Sequence, residues 1–585
     1  MNKNDRIIVA ILFCLLIAWS FYGRKFAPQK PAEVAVAAEE TAAVNTDVVS
    51  VDPSATPSAL PSVAPDVEPL LADVVHETPE KTLVLENEVL QLVFSSWGGG
   101  ITSAELSQFP ATMEEDSEPV SLDFARRPAL TYTDLSGLSV ANDFEIKYLS
   151  GLNGVRIERQ DASGLSLSRV ALLTNGYSLV VTDTLVNETD DPIVIPNARM
   201  NVGPMPHVQT KAKTRGILYL GVDTMSEVEG KSRITFWGRK LSALFGAKGG
   251  CSKPDLRGVP LTQVKEIPDS VEWVAVKNKF FAQVMVPSDG GALCHIFASR
   301  EDSESQLTLS TVSAALVLSE QTLEPGQMVE RTTHYYVGPK TYSELHAQGH
   351  GEDRIMLRCW PFFGWWRGAC IGLLWLLNGL KAVTFNYGVA IILLTIIVKA
   401  VFWPVTHKGT ESMKRMQKLQ PQLKKMREKY KDNPKKIQEK QMLLYRENNV
   451  NPVAGCLPMF IQMPVFIALF TVLRSAVELR YSSFLWIADL SEPEGLLAGV
   501  LPFPAGGLNL LPLAMTGTMV LQQRLTPSTG DPQQQKMMAF MPVMMLFVFY
   551  NMSSGLVLYW TVSQMLSILQ LFLQQRKDKR EAVPA

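Results

Sequence analysis

The chain has 585 residues, too many for one ordinary hydrophobic core, with 55 Lys and Arg against 57 Asp and Glu and a net charge of −2. That balance excludes a bulk nucleic-acid binder, and a hydrophobic fraction of 46% is high without being extreme. The apolar residues gather at the start and in roughly the last 200 residues, the distribution of a membrane protein with a large soluble insert.

Ile7 to Tyr22 is an apolar run with Lys3 and Arg6 before it and Arg24 and Lys25 after it. A cleaved signal peptide is one reading. No small-x-small site closes the run, however, and Cys14 has no lipobox-like context, so residues 1–26 are expected to form an uncleaved anchor. Residues 27–80 are rich in Ala, Pro, Val, Glu and Ser (DPSATPSALPSVAPDVEP) and read as a disordered linker that cannot bury a core.

From 81 to 345 the pattern becomes short and alternating. KTLVLENEVLQLVFSSWGGGI, GYSLVVTDTLVNETDDPIVI, VEWVAVKNKFFAQVMV and RTTHYYVGP are strands separated by Gly, Pro, Asn and Asp turns, which predicts an all-β sandwich. No helical period interrupts it before Thr341. His207, His295 and His334 are scattered and lack ligand spacing, and the six cysteines form no CxxC pair, so no metal or redox motif is supported. Cys251 and Cys294 leave a disulfide open should this domain be extracytoplasmic, and spacing alone does not pair them.

Residues 346–386 are aromatic and then leucine-rich, with CWPFFGWW followed by Leu373, Leu374, Leu376, Leu377 and Leu380. An interfacial amphipathic helix is expected, the alternative being a span paired as a hairpin with the next one. Tyr387 to Val405 is apolar enough to cross a bilayer, yet it carries Lys399. A cation there costs roughly 2.5 to 3.5 kcal/mol on insertion scales, so it marks a functional position.

A basic hairpin follows at 407–451, with thirteen Lys and Arg against five Asp and Glu, net +8. Met416, Leu419, Leu423, Met426 and Tyr430 are spaced as a helical seam, KDNP at Lys431 to Pro434 signals a turn, and Pro434 suits the first turn of a second helix. Further apolar runs fall at about 453–473, 507–523, 537–550 and 555–572, giving five spans from 387 to 575 and six with the anchor. The loop from Arg474 to Gly506 is acidic, net −2, whereas the hairpin, the Arg524 loop and the tail at 576–585 are basic. The positive-inside rule therefore puts the hairpin and both termini in the cytoplasm, and residues of about 27–360 on the far side.

Taken in order, a cation in the first core span, a basic hairpin, NPVAGCLPMFIQMPVFIALF, DPQQQKMMAFMPVMM and SGLVLYWTVSQ resemble the YidC/Oxa-type family of membrane protein insertases over about Trp360 to Gln575. The anchor and β-domain, with GGGI near Gly98 and the closing EPGQ and YYVGP, extend the resemblance to the Gram-negative bacterial form. The resemblance implies a six-span polytopic α-helical protein of the inner membrane, with a five-helix insertase core, a cytosolic helical hairpin and a periplasmic β-supersandwich similar to sugar-mutarotase folds. It implies insertion and folding of nascent inner-membrane proteins, alone or with the Sec translocon and its accessory proteins. The hairpin and tail would meet the ribosome and the signal-recognition-particle receptor, and neither sequence-specific nucleic acid nor a cofactor is implied.

The resemblance places the groove cation at Lys399, where most described members carry arginine, and matches Gln523 and Trp560 to groove-lining positions. Thr395 shares the face of Lys399 one turn earlier. Gln462 is a further polar residue inside a span, read equally as a helix-to-helix hydrogen bond. Clients would slide along Pro458, Met463, Phe466 and Met541, in a region where Met537, Met538, Met544 and Met545 also cluster; methionine surfaces adapt to varied partners, and filler against lipid is the plainer reading. A secondary transporter using Lys399 is the rival class. It predicts internal repeats and further intramembrane acids, and neither is found. A phosphate-binding GxxxxGK[ST] loop is also missing, which disfavours a nucleotide-driven pump.

Overall fold

The structure, a computed structural model, describes residues 76, 78–206, 219–228, 230–238, 262–267, 270–288, 293–300, 309–356, 364–430, 433–448, 457–474, 476–496, 507–525 and 532–581. The described residues all belong to one compact unit, Val67–Ala585. The anchor and most of the linker lie outside the described residues, as do Cys251 and His207.

As expected, a β-rich domain precedes a helical C-terminal region. The largest sheet has nine antiparallel strands, in spatial order Lys231–Phe236, Gly221–Val228, Trp273–Lys277, Phe281–Pro287, Met328–Pro339, Ser178–Asn187, Leu165–Leu173, Gly154–Gln160 and Glu145–Leu149. Strands Leu165–Leu173 and Ser178–Asn187 alternate buried and half-buried residues along their whole length, so one face packs and the other is partly wet. Trp273–Lys277 and Phe281–Pro287 are buried at every position, and the six-stranded sheet built around Leu293–Arg300 and Leu309–Val317 packs on the first of them through Leu309–Val317. A four-stranded meander, Thr82–Glu86, Leu90–Ser95, Ile101–Pro110 and Pro119–Asp123, completes the body.

One ion pair locks the two large sheets together. Arg169 and Asp183 are direct cross-strand partners, 2% and 1% exposed, joined by bonds of 2.6 and 2.7 Å. Tyr132, from the six-stranded sheet, donates its hydroxyl to the same carboxylate at 2.7 Å. Burial pushes the Tyr132 phenol well above its ordinary value, and the Asp183 charge adds to that. Cys294 is a fully buried thiol, likewise pushed up by desolvation.

The helical region begins with a short helix α1 (Tyr342–Ala347), followed by α2 (Gly364–Thr384), α3 (Tyr387–Lys418), α4 (Gln420–Lys429), α5 (Pro434–Glu447), α6 (Leu457–Leu473), α7 (Leu510–Leu525), α8 (Pro532–Phe549) and α9 (Ser554–Glu581). Helix α2 is amphipathic: Trp366, Cys370, Leu374 and Leu377 are buried against the bundle, whereas Trp375 and Val383 are each 77% exposed. Among the described residues, Tyr387–Pro404 and Ser554–Arg576 are long and apolar enough to cross a membrane, with mean hydropathies of 2.0 and 1.6. Gln462–Leu473 and Ala539–Phe549 are shorter apolar stretches.

Several helices extend beyond the spans expected within them. The helix carrying Lys399 does not stop at Val405 but continues to Lys418, since nothing after Pro404 breaks it before Leu419. Helix α9 likewise runs past Phe572 to Glu581. The hairpin is then α4 and α5, closed where the Asn433 side chain caps the Lys436 amide at 3.1 Å with Pro434 just inside the helix. Of the expected seam, Met416, Leu419 and Leu423 pack on Tyr445, flanked by Met426 and Leu444, whereas Tyr430 is half-buried outside that cluster.

Candidate functional site

The three helices α3, α7 and α9 hang from one loop, residues 476–496. Asn386, just before α3, donates its side-chain amide to Ser483 O at 3.0 Å. Two residues on, Gly388 lies so close to Phe484 that an added Cβ would come within 2.1 Å of the ring, so only glycine fits there. The Glu494 carboxylate accepts the Leu510 and Leu511 amides at 2.7 Å each and so caps α7. Burial pushes that carboxyl above its ordinary value, against the pull of those two amide bonds. Ser554, at the start of α9, donates its amide (2.9 Å) and hydroxyl (2.7 Å) to Glu492 O, and Gly555 donates to Leu490 O at 2.8 Å.

A shared origin sets a shared depth. Lys399 is twelve residues into α3, and Gln523 and Ser567 are each thirteen residues into α7 and α9. At ~1.5 Å per residue all three lie about 18–20 Å from the loop. Helix α9 packs against both α3 and α7 and stands between them. At that depth Lys399 Nζ donates to Ser567 Oγ at 2.9 Å, and Ser567 Oγ donates to Ser563 O at 2.9 Å. Gln523 is half-buried at the far end of α7.

The other expected residues divide between this layer and the apolar packing around it. Thr395 is fully buried and spends its hydroxyl on Ile391 O at 2.6 Å, so it shares the face of Lys399 without presenting a free hydroxyl there. Gln462 donates to the Tyr559 hydroxyl at 2.6 Å, a helix-to-helix bond between α6 and α9. Trp560 is half-buried, edge-on to Phe466 (4.8 Å between centroids) and tilted against Phe549 (5.3 Å). Its indole Nε1 is buried with no hydrogen-bond partner. Met463 is 41% exposed on α6, Met541 is half-buried on α8, and the side chain of Pro458 lies outside the described residues.

A polar stripe on α9 was not picked out from the sequence. Trp560, Ser563, Ser567, Gln570 and Gln574 follow steps of three and four and occupy a sector of about 80° at ~100° per residue. Ser563 is 5% exposed, and Gln570 and Gln574 are 8% each. Among the described residues, the Gln564 carbonyl oxygen, the Gln570 amide nitrogen and both amide atoms of Gln574 are buried without partners. The signal was present in the 3–4 spacing, but it is diluted in a segment whose mean hydropathy still qualifies it as a span. The layer thus offers a cation, hydroxyls and unsatisfied amides on parallel helices, beside an exposed apolar face at Phe540, Met544 and Phe547 of α8. It can hold a polar or acidic segment next to a greasy surface.

Comparison with known proteins agrees along the chain. The 60Kd inner membrane protein family matches residues 379–581, and the YidC periplasmic domain family matches residues 82–356. A membrane protein insertase YidC from Pelobacter propionicus is 42% identical over 304 residues, 52% of this chain and 53% of that protein, so the match spans about half of the relative's length. Another, from Maridesulfovibrio salexigens, is 30% identical over 589 residues, 99% of both chains. A solved structure described as an active YidC insertase with its first transmembrane domain resolved covers 87% of this chain and 95% of its own at 21% identity and a TM-score of 0.34. With a relative matched from end to end and both domain families found in the expected order, the chain belongs to the YidC family of membrane protein insertases.

Proposed function

We propose that this chain inserts inner-membrane proteins into the bilayer and helps them fold, alone or together with the Sec translocon. It acts without being an enzyme, because the barrier is desolvation rather than a covalent bond. Moving a polar client segment through hydrocarbon leaves its backbone groups unsatisfied at several kcal/mol each. A hydrophilic groove open to cytosol and lipid shortens that dry path. The observation that carries this reading is the Lys399–Ser567 bond inside an apolar bundle, continued on α9 by buried amides that have no protein partner.

In this reading Lys399 attracts the acidic or polar tail of the client, and Gln523, Ser567, Gln570 and Gln574 line the groove. Thr395 and Gln462 hold α3 and α6 in place, and Trp560 closes the groove toward the loop. The client's apolar segment leaves along Pro458, Met463, Phe466 and Met541. Five spans from α3 to α9 plus the anchor put both termini in the cytoplasm, with the β-domain in the periplasm and α2 at the interface. The net +8 hairpin then faces the ribosome, the signal-recognition-particle receptor and anionic lipid.

Photocrosslinking from positions 399, 560 and 574 to a stalled nascent membrane protein tests the groove. Crosslinks from 399 and 574 to the polar tail, and from 560 to the apolar segment, are expected. Crosslinks confined to small solutes would instead favour a transporter.

A further inference from the structure

Four cations crowd the end of the nine-stranded sheet where the β-domain meets the chain leaving α6. Lys277 ends one strand, Lys279 is in the following turn, Lys340 directly follows the last strand, and Arg474 directly follows α6. The Lys340 amide donates to Phe280 O at 2.7 Å, which sets it against the turn that carries Lys279.

Two of the four have their counter-charges. Lys277 Nζ pairs with Asp223 and donates to Ile355 O at 3.0 Å. Lys279 Nζ pairs with Glu492 at 2.5 Å and donates to Ser491 O at 3.0 Å. The other two lack them. Lys340 is 3% exposed, and among the described residues its Nζ has neither a hydrogen bond nor an ion pair. Arg474 lies over the rings of Tyr219 (5.2 Å) and Phe470 (5.4 Å), and among the described residues its buried Nε has no hydrogen-bond partner. Ser491, whose carbonyl holds Lys279, is 2% exposed and has an unpartnered hydroxyl.

An unpaired buried cation is costly, and a buried donor without an acceptor adds to that cost. Burial holds the Lys340 amine well below its ordinary value, and the Lys277 charge adds to this against the pull of Asp223. Three unsatisfied polar groups from three separate elements call for an anion whose oxygens can accept three or more hydrogen bonds. The charged oxygens of a phosphate group, free or in a diester, offer enough lone pairs for all three, and Arg and Lys together are its usual partners.

We propose that this junction binds a phosphate group, with Lys340 Nζ and Arg474 Nε as its principal donors and Ser491 Oγ as a third. Arg474 stands where the chain leaves the apolar helix α6, at the level of lipid headgroups, so a phospholipid is the favoured source and free phosphate the other. The site is separate from the Lys399 layer, and its test does not depend on insertion activity.

The test uses the full chain in detergent, with thermal unfolding followed during titration with phosphatidylglycerol in mixed micelles or with inorganic phosphate, each against sodium chloride at matched ionic strength. The wild type is expected to gain stability from the phosphate-bearing ligand. Lys340→Met should weaken half-saturation about tenfold, the loss of one charge-assisted bond, and Lys340→Arg should retain it. Arg474→Gln, at a less buried position, should give the same weakening should Lys340→Met fold poorly. Stabilisation by phosphatidylglycerol but not by phosphate assigns the site to a headgroup, and stabilisation by both assigns it to phosphate from either source. No response in the wild type, or a response undiminished from the wild type in both Lys340→Met and Arg474→Gln, overturns the proposal.

Discussion

Replacing Lys399 by leucine should separate stability from function. A lysine in mid-span costs about 2.5–3.5 kcal/mol, and the position of Lys399 toward one end of the span lowers that to about 2 kcal/mol. Its bond to Ser567 returns about 1 kcal/mol. Ser567 keeps its own donation to Ser563 O, so no orphaned hydroxyl is left behind. Lys399→Leu is therefore expected to be neutral or to stabilise by about 1 kcal/mol, a rise of about 2 °C in unfolding temperature. Insertion should move the other way. An acidic client residue at about 4 Å gains at most about 4 kcal/mol from the lysine at an effective dielectric of about 20, and screening in a wet groove leaves about 1–2 kcal/mol. Insertion of clients with acidic translocated tails should fall about tenfold, while clients without them lose little and Lys399→Arg behaves as wild type. The assay is protease protection of clients in proteoliposomes at matched protein density, with unfolding followed on the same preparations. A drop in unfolding temperature with insertion unchanged would show that the lysine serves the fold, and the groove reading would be lost.

Gln574→Leu removes two buried unpartnered amide atoms, so it should fold at least as well as wild type while inserting clients with long uncharged tails severalfold more slowly in the same proteoliposomes. Lys279→Met removes the β-domain cation paired with Glu492 and should cost about 3 kcal/mol in thermal or denaturant unfolding; a loss below about 1 kcal/mol would argue against a buried pair. Glu478 has its carboxyl pushed up by burial and one carboxylate oxygen without a partner. A raised carboxyl favours the folded state at low pH, and that advantage is lost as pH rises from the ordinary carboxylate value through the raised one. Glu478→Gln should therefore stabilise at pH 7 and give no gain toward pH 4, as followed by thermal unfolding across that range.

The loop from 476 to 496 joins these effects mechanically. Glu492 receives Lys279 from the β-domain through its carboxylate and the first residue of α9 through its carbonyl. Nearby, Arg480 donates to Pro110 O (2.7 Å) and Ala111 O (3.1 Å) of the four-stranded meander, and the Tyr481 hydroxyl donates to Ala111 O at 2.7 Å. The segment that sets the depth of the polar layer is therefore also the segment gripping the β-domain.

Local pattern was enough to identify much of this protein. Alternation in GYSLVVTDTLVN yields the strand Ser178–Asn187 because a pleated strand turns successive residues to opposite faces. The 3–4 spacing of Leu419, Leu423 and Met426 yields one side of the hairpin seam because a helix brings those positions together, and Met416 joins it from the end of α3. A single charge in Tyr387–Val405 stands out by its cost in hydrocarbon. The partner of that charge was not legible. Ser567 is 168 residues away, and serine raises no alarm in an apolar run because its hydroxyl can bond its own helix, as it also does here. The amides of Gln570 and Gln574 were averaged away among leucines for the same reason. Periodicity states which residues share a face, but not which helix that face meets or at what height. Both were decided by tertiary contacts, through an acidic loop whose sequence reads only as polar and whose hydrogen bonds hang α3, α7 and α9 from one level.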